Sequence, residues 1–483
     1  MTENKNNMKR GLSSRHISMI AIGGAIGTGL FVATGSVIAQ AGPGGAILAY
    51  LIIGVMLYFL MSSIGELATF YPVSGSFSSY STRFVDSSLG FTMGWLYWLM
   101  WLLVSSVDII IAANVLNYWD VFHFFNPVIW SIIFLVLLFL LNIFSVKAFG
   151  ETEFWLSLIK VVTILIFIVV GILTIVGILG GKTYGTHNFI TGEAPFVGGF
   201  SGFLAVLLIA GFSVGGTEVV AVTAGESSNP NKSMPKAIKQ VFWRILLFYV
   251  LSIAVISAII PYNDSLLLNK HESVTQSPFT IVFDRIGIAF AASVINAVIL
   301  TSLLSAANSG IYTTSRLLFS LAEDRQAPKV FGKLQKTTKL PILSICMSFL
   351  VIFTVIIIAQ FKSDIVFSLL NIIGSLVIVV WGSSILAQIR LRRAIKKQHR
   401  NPDEVLPYKA PFYPLGPIIV IVAILILFVG NSLGAVIAGD YVALLRNILP
   451  IIILALVYLT HKFIKKTKVV KLKDINLDQH KYE

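Results

Sequence analysis

The sequence predicts an all-α membrane protein with twelve transmembrane helices, and three observations predict it. The 483 residues are 56% hydrophobic and only 12% charged, with a mean hydropathy of +0.86, whereas an average soluble domain is about half apolar and a quarter charged. The apolar residues come in uninterrupted runs of about twenty, the length a helix needs to cross hydrocarbon. The loop bases gather in alternate breaks between these runs, which is how the cytoplasmic side of a membrane protein is marked.

Taken in order, the runs lie at 17–39, 46–70, 89–116, 128–149, 154–179, 199–221, 241–260, 279–322, 341–359, 365–389, 413–432 and 441–464. The stretch 279–322 is too long for one untilted span, so its end is expected to project into water. Residues 1–16 form a tail carrying Lys5, Lys9, Arg10 and Arg15, and the run that follows is longer than the apolar part of a signal peptide, so it reads as a retained first helix. An even number of spans puts both termini on one side. With that side cytoplasmic, the clusters around Lys232 to Arg244, Arg325 to Lys339, Arg390 to Arg400 and Lys462 to Lys468 all fall inside, and only Lys182, Lys270, Arg285, Lys362 and Arg446 fall outside.

This pattern accounts for the net charge of +14 as topology, because nucleic-acid binding needs the bases gathered on one wet face with a recognisable module. No nucleic-acid partner is expected. The single cysteine, Cys346, lies within an apolar run and allows no intrachain disulfide. The histidines fall at ends or in loops without metal spacing, so neither a metal, a cofactor nor an enzyme is expected. Lipid is the one surrounding partner that composition demands.

Two spans carry glycine clusters at mid-membrane. The first holds Gly23-Gly24-Ala25-Ile26-Gly27-Thr28-Gly29 and the sixth Gly211-Phe212-Ser213-Val214-Gly215-Gly216-Thr217-Glu218. Glycine weakens a helix by about 1 kcal/mol relative to alanine, and unwound backbone in hydrocarbon costs several more per unsatisfied group. A single cluster reads first as close helix packing. A pair five spans apart fits an inverted repeat, with helices 1 and 6 broken around a polar site. Half-helix N-termini would then face a carboxylate and freed carbonyls an ammonium, which suits a zwitterionic amino acid.

The segments Ile22 to Phe31, Ala41-Gly-Pro-Gly-Gly45, Gly65-Glu-Leu-Ala68, Pro72 to Phe77, Gly216-Thr-Glu218, Ala224-Gly-Glu-Ser227 and Asn308-Ser-Gly310 resemble the amino-acid permeases of the amino acid–polyamine–organocation superfamily over essentially the whole chain. Val241 to Tyr249, Ser277-Pro-Phe279 and Asn296 to Thr301 are most similar to bacterial lysine-specific permeases. The resemblance implies a LeuT-type fold of five plus five inverted helices with two more at the end. Its parts are a cytoplasmic tail (1–16), a first repeat (17–180), a second repeat (195–390), two final helices (410–465) and a second cytoplasmic tail (466–483). It implies proton-coupled import of lysine or another cationic amino acid across a bacterial cytoplasmic membrane. Carried over position by position, it places the substrate carboxylate at Gly27, Thr28 and Gly29, the α-ammonium at carbonyls near Ala25 and Gly215, and Phe212 as a lid. The chain departs from many relatives at Leu96 and Met100, where asparagines are common. A broader importer, an exchanger and a transport-fold nutrient sensor are the competing readings.

Ionisable residues at membrane depth are costly and therefore functional suspects. Lys160 lies in the fifth span below Glu151 and Glu153. It either snorkels to the surface or, as the resemblance implies, stands in for the ion of sodium-coupled relatives and takes part in proton coupling with Glu218. Glu218 and Asp108 are the candidates for a cationic substrate side chain, since that charge cannot be buried unpaired. Glu66, in the second span, is a third acid at membrane depth. Ser302, Ser305 and Asn308 share one face of the eighth span, and Asn308 is added to the substrate set. Trp95, Trp98 and Trp101 repeat by three, as an interfacial belt or as cavity lining. Glu226 opens the loop after the sixth span, either solvated or closing an inner gate with Arg83 or Arg316.

Overall fold

The computed structural model describes residues 15–16, 19, 26–73, 75–144, 146–224, 227, 229–268, 277–361, 365–437, 439 and 441–478. Gly23, Gly24, Ala25 and Glu226 lie outside the described residues.

The architecture is helical throughout. The helices are α1 (Thr34–Phe70), α2 (Ser76–Phe84), α3 (Ser87–Val115), α4 (Pro127–Phe144), α5 (Val146–Ile175), α6 (Gly199–Ser213), α7 (Val219–Thr223), α8 (Pro230–Arg244), α9 (Leu251–Ile259), α10 (Ser265–Leu268), α11 (Pro278–Arg285), α12 (Ala289–Glu323), α13 (Ile342–Ala359), α14 (Ile365–Lys397), α15 (Pro402–Val405), α16 (Leu415–Ile437) and α17 (Tyr441–Lys465). Among the described residues, eight helices are long and apolar enough to cross a membrane. Shorter apolar helices lie at Pro127–Ile143, Gly199–Ser213 and Leu247–Ile259. The chain is a multi-pass membrane protein.

Several boundaries differ from the sequence expectation for physical reasons. The first two spans are joined without a loop, because α1 turns a corner at Gly42, which has φ 73° and ψ 174°. A Cβ there would meet the Pro195 carbonyl oxygen at 2.7 Å. That same oxygen accepts from the Gly44 and Gly45 N–H groups at 2.9 and 3.2 Å, so the 187–198 segment clasps the corner. The long run 279–322 does not project into water as one helix. It divides into α11 and α12 at Gly287, which has φ 82°, with α11 started by the Ser277 hydroxyl on the Phe279 N–H and Pro278 in its first turn. The helix that outruns its predicted end is α14, which continues to Lys397 on a basic face.

The bundle is graded from a buried centre to an apolar outside. Within Ser87–Tyr118, 78% of the most apolar window is buried, against 11% in Asn447–Lys465. The central helix α3 packs against α2, α4, α12, α13, α14 and α17. Leu425 and Leu456 on α16 and α17 are exposed apolar side chains, a surface that hydrocarbon solvates and water would not. What the centre buries is partly polar: Asp108, Glu153, Lys160 and Glu218 are all nearly inaccessible.

Candidate functional site

The second glycine cluster interrupts its span. The helix α6 stops at Ser213, residues 214–218 turn irregularly, and a single helical turn, α7, resumes at Val219. At the first cluster the chain is irregular at Ile26 and Gly27 and enters a wide π turn at Gly29–Ala33 before α1 begins. The two segments touch backbone to backbone: a Cβ built on Gly29 would fall 2.5 Å from the Ser213 carbonyl oxygen. Only glycine permits that approach.

Peptide groups freed by the break find partners from neighbouring helices. The Ser213 carbonyl accepts from the Tyr249 hydroxyl at 2.7 Å, and the Ser213 hydroxyl accepts from Tyr50 at 2.8 Å while donating to Ile209 at 2.8 Å. Tyr50 and Tyr249 stack on each other 5.5 Å apart. On the other side, Ser277 donates to the Phe31 carbonyl of the π turn. Buried polar backbone is thus held open in shape while remaining paired, as an apolar interior requires.

Between the segments lies a cavity of about 40 Å³ lined by Gly27, Thr28, Gly29, Asp108, Phe212 and Glu218, with an apolar wall completed by Met100, Trp101, Val104, Ile373 and Val377. A water molecule occupies ~30 Å³ of liquid and a small-molecule pocket at least ~300 Å³. The cavity is narrower than such a pocket in this conformation.

Two carboxylates meet this cavity. Asp108 accepts from the Thr28 hydroxyl at 2.5 Å. Glu218 folds back over the break, taking the Gly216 N–H at 3.0 Å and the Thr217 hydroxyl at 3.5 Å on Oε2. Its Oε1 makes no hydrogen bond of ordinary geometry among the described residues, although the Trp381 indole and Tyr97 phenol act on it.

Behind this wall sits a second polar cluster. Lys160 is 1% exposed, so it does not snorkel; its charge acts on Asp108 and Glu153. Glu153 accepts from Ser305 at 2.7 Å and Ser157 at 3.3 Å. The sequence set Glu151 beside it, but Glu151 turns outward to Arg15 and His16. Asn308 does not line the cavity; its amide oxygen accepts from Asn142 at 2.7 Å on α4.

Other readings of single residues are resolved by packing. Trp98 and Trp101 are buried and do not form an interfacial belt, and Trp101 lines the cavity. Glu66 is wholly buried against a bidentate Arg392, at 2.7 and 2.5 Å, with Gln388 and the Ala410 N–H also donating to it. Arg83 donates to the carbonyls of Asn476 and Asp478 in the C-terminal segment; Glu226, for which it is one candidate partner, lies outside the described residues.

Sequence reasoning missed Tyr97, Ile373, Val377 and Trp381. The signal was helical spacing from suspects already in hand. Tyr97, Trp101, Val104 and Asp108 recur at four, three and four residues, and Ile373, Val377 and Trp381 at four and four, each a single helix face.

A cavity bearing two carboxylates where the break after Ser213 meets the Gly27–Gly29 segment, inside a bundle of membrane-crossing helices, fits a membrane carrier of a small polar solute. The chain belongs to the amino acid permease family, whose model matches residues 16–474. It is 44% identical to the lysine-specific permease LysP of Lactococcus lactis, covering 98% of this chain and 94% of that protein. It is 45% identical to the histidine permease HisP of the same organism, covering 99% and 100%. The lysine-specific permease LysP of Escherichia coli is 44% identical, with 98% and 97% covered.

Proposed function

We propose that this permease imports a cationic amino acid, lysine in the first instance, by proton-coupled alternating access across a bacterial cytoplasmic membrane. The observation that carries the reading is the contact of Gly29 with Ser213 beside a cavity bearing Asp108 and Glu218. In this reading the twelve spans form a LeuT-type arrangement of five plus five inverted helices and two more. Both termini lie in the cytoplasm, where the basic clusters put them.

The substrate carboxylate meets the backbone of Gly27, Thr28 and Gly29. Its α-ammonium meets carbonyls near Ala25 and Gly215, and Phe212 covers the site. The side-chain ammonium goes to a carboxylate, because burying that charge alone costs far more than the rest of the site returns. Glu218 suits this role, since its carboxylate lines the cavity wall beside the break. Asp108 is already held by Thr28, which suits it to sensing closure of the first segment. Lys160, buried and acting on Asp108 and Glu153, is the resident cation whose proton traffic with Glu218 biases the carrier between its two orientations. Glu226 serves the inner gate.

The relatives support a cationic substrate, and the similarity to a histidine permease favours histidine as a second reading, because the same carboxylates accept an imidazolium. Uptake of labelled lysine into liposomes carrying the purified protein tests both. Expected are dependence on an inward proton gradient, loss of accumulation in Lys160→Ala, and competition by cationic amino acids out of a panel of twenty. Uptake indifferent to the gradient, strict sodium dependence, or accumulation by Lys160→Ala overturns the coupling. Stronger competition by histidine than by lysine reassigns the substrate, and binding without flux makes the protein a sensor.

A further inference from the structure

A second and larger cavity, about 470 Å³, opens at the end of the bundle where α3 begins, between that helix, the segment after α12 and the last turns of α17. We infer that it binds the phosphodiester headgroup of an anionic phospholipid.

Position comes first. Three candidate spans end at this place: Ser87–Tyr118 starts at Ser87, Phe290–Glu323 stops one residue before Asp324, and Asn447–Lys465 stops at Lys465. Helix ends that coincide in this way sit where hydrocarbon gives way to headgroups. The chemistry fits that depth. Arg325 and Lys465 line the cavity as cations, with Ser87 and Gln326 as neutral polar neighbours. Asp324 is the carboxylate among the lining residues and is engaged with a partner of its own, so the two bases outnumber it. Arginine grips phosphate through paired N–H groups and lysine as a point charge.

The floor is fixed. His461 stacks on Phe91 with ring centres 4.2 Å apart and shares a hydrogen bond of 2.9 Å with the Ser88 hydroxyl, so one wall is rigid before any ligand arrives. The start of α3 is not the attraction, because Asp86 already caps it at the Leu89 N–H and binds Lys462.

The rim decides between a lipid and a soluble phosphate. On the same final turn of α17, Ile464 is 67% exposed and Phe463 is 85% exposed. Large apolar side chains beside a basic cavity offer acyl-chain contact within reach of the headgroup, which inorganic phosphate cannot use. Bases at the headgroup level of an anionic leaflet attract its lipids, so reversing both charges changes retention by more than tenfold.

The test uses the full chain. Protein from phosphatidylcholine vesicles containing phosphatidylglycerol is weighed by native mass spectrometry, alongside an Arg325→Glu/Lys465→Glu double variant and the milder Arg325→Gln/Lys465→Gln. Expected are retained phosphatidylglycerol on the unaltered protein and at least a tenfold loss on the variants, with phosphatidylcholine unaffected. A photoreactive residue at Ile464, in an otherwise unaltered chain, is expected to crosslink phosphatidylglycerol and so decides the matter even where a variant misfolds. Equal retention by folded variants, or no crosslink at Ile464, overturns the inference. Equal protection against unfolding by inorganic phosphate and by phosphatidylglycerol also overturns it, in favour of a soluble anion.

Discussion

Gly29 lies against the Ser213 peptide so closely that a methyl group on it would sit 2.5 Å from the carbonyl oxygen and 2.8 Å from the carbonyl carbon. Neither neighbour is the movable end of a side chain, so the two segments would have to separate. We expect Gly29→Ala to abolish uptake and to lower the melting temperature of the detergent-solubilised protein. Gly211→Ala, whose Cβ would meet Leu427 and Ile53 at ordinary distances of 3.9 and 4.0 Å, should retain both. Uptake by Gly29→Ala at the unaltered rate would show that the contact is not kept through the transport cycle.

The carbonyl at the break depends on a hydroxyl from another helix. Tyr249→Phe removes the donor to Ser213 while preserving the stack on Tyr50, so the expected cost is that of an underpaired buried acceptor, about 1–3 kcal/mol. Thermal unfolding with and without lysine separates the two consequences. Lower stability with an unchanged lysine-induced shift marks a scaffold role, whereas loss of the shift marks a distorted site.

Glu66 and Arg392 form a buried bidentate pair joining α1 to α14. Glu66→Ala leaves the guanidinium without its counter-charge in a place only 12% exposed, for which we expect a loss of about 3–5 kcal/mol. A double-mutant cycle with Arg392→Met measures the coupling directly. Additive losses would mean that each residue contributes only through its separate contacts, Glu66 with Gln388 and Ala410 and Arg392 with the Tyr413 ring.

Asp86 gives the C-terminal end of the fold a pH dependence of known sign. Burial opposes its ionisation, but the Leu89 N–H, the Tyr458 hydroxyl and the Lys462 ammonium together hold its carboxyl below the ordinary carboxylate range. A folded pKa lower than the unfolded value, ~3.9, stabilises the fold fully above that value, and the contribution fades as pH falls through the folded one. Stability should therefore drop on acidification below about pH 4, and Asp86→Asn should flatten that part of the profile. The cap itself is worth about 0.5–2 kcal/mol to α3, so Asp86→Ala should also destabilise at neutral pH.

How much of this was legible depends on whether the signal was local. Lys160 and Glu218 stood out because a charge within an apolar run is anomalous by itself, and the glycine clusters because unwound backbone is anomalous there too. Asp86 and Glu66 gave no comparable indication of what they hold. Their partners, Lys462 and Arg392, lie hundreds of positions away, and no spacing rule connects them. Ser305 and Asn308 shared one predicted face, yet they serve different partners, Glu153 on α5 and Asn142 on α4, because a helix face in a crowded bundle is wide enough to touch two neighbours.

The sequence by itself determined that this chain lives in a bilayer, where its apolar runs fall, and that the sixth span breaks after Ser213, because hydropathy and glycine content act within a few turns. The tertiary structure alone decided that Gly29 meets Ser213, that Tyr249 and Ser277 satisfy the carbonyls beside them, and that Asn308 pairs with Asn142. Those outcomes depend on which helices become neighbours, and packing of distant surfaces sets that at a range no local pattern reaches.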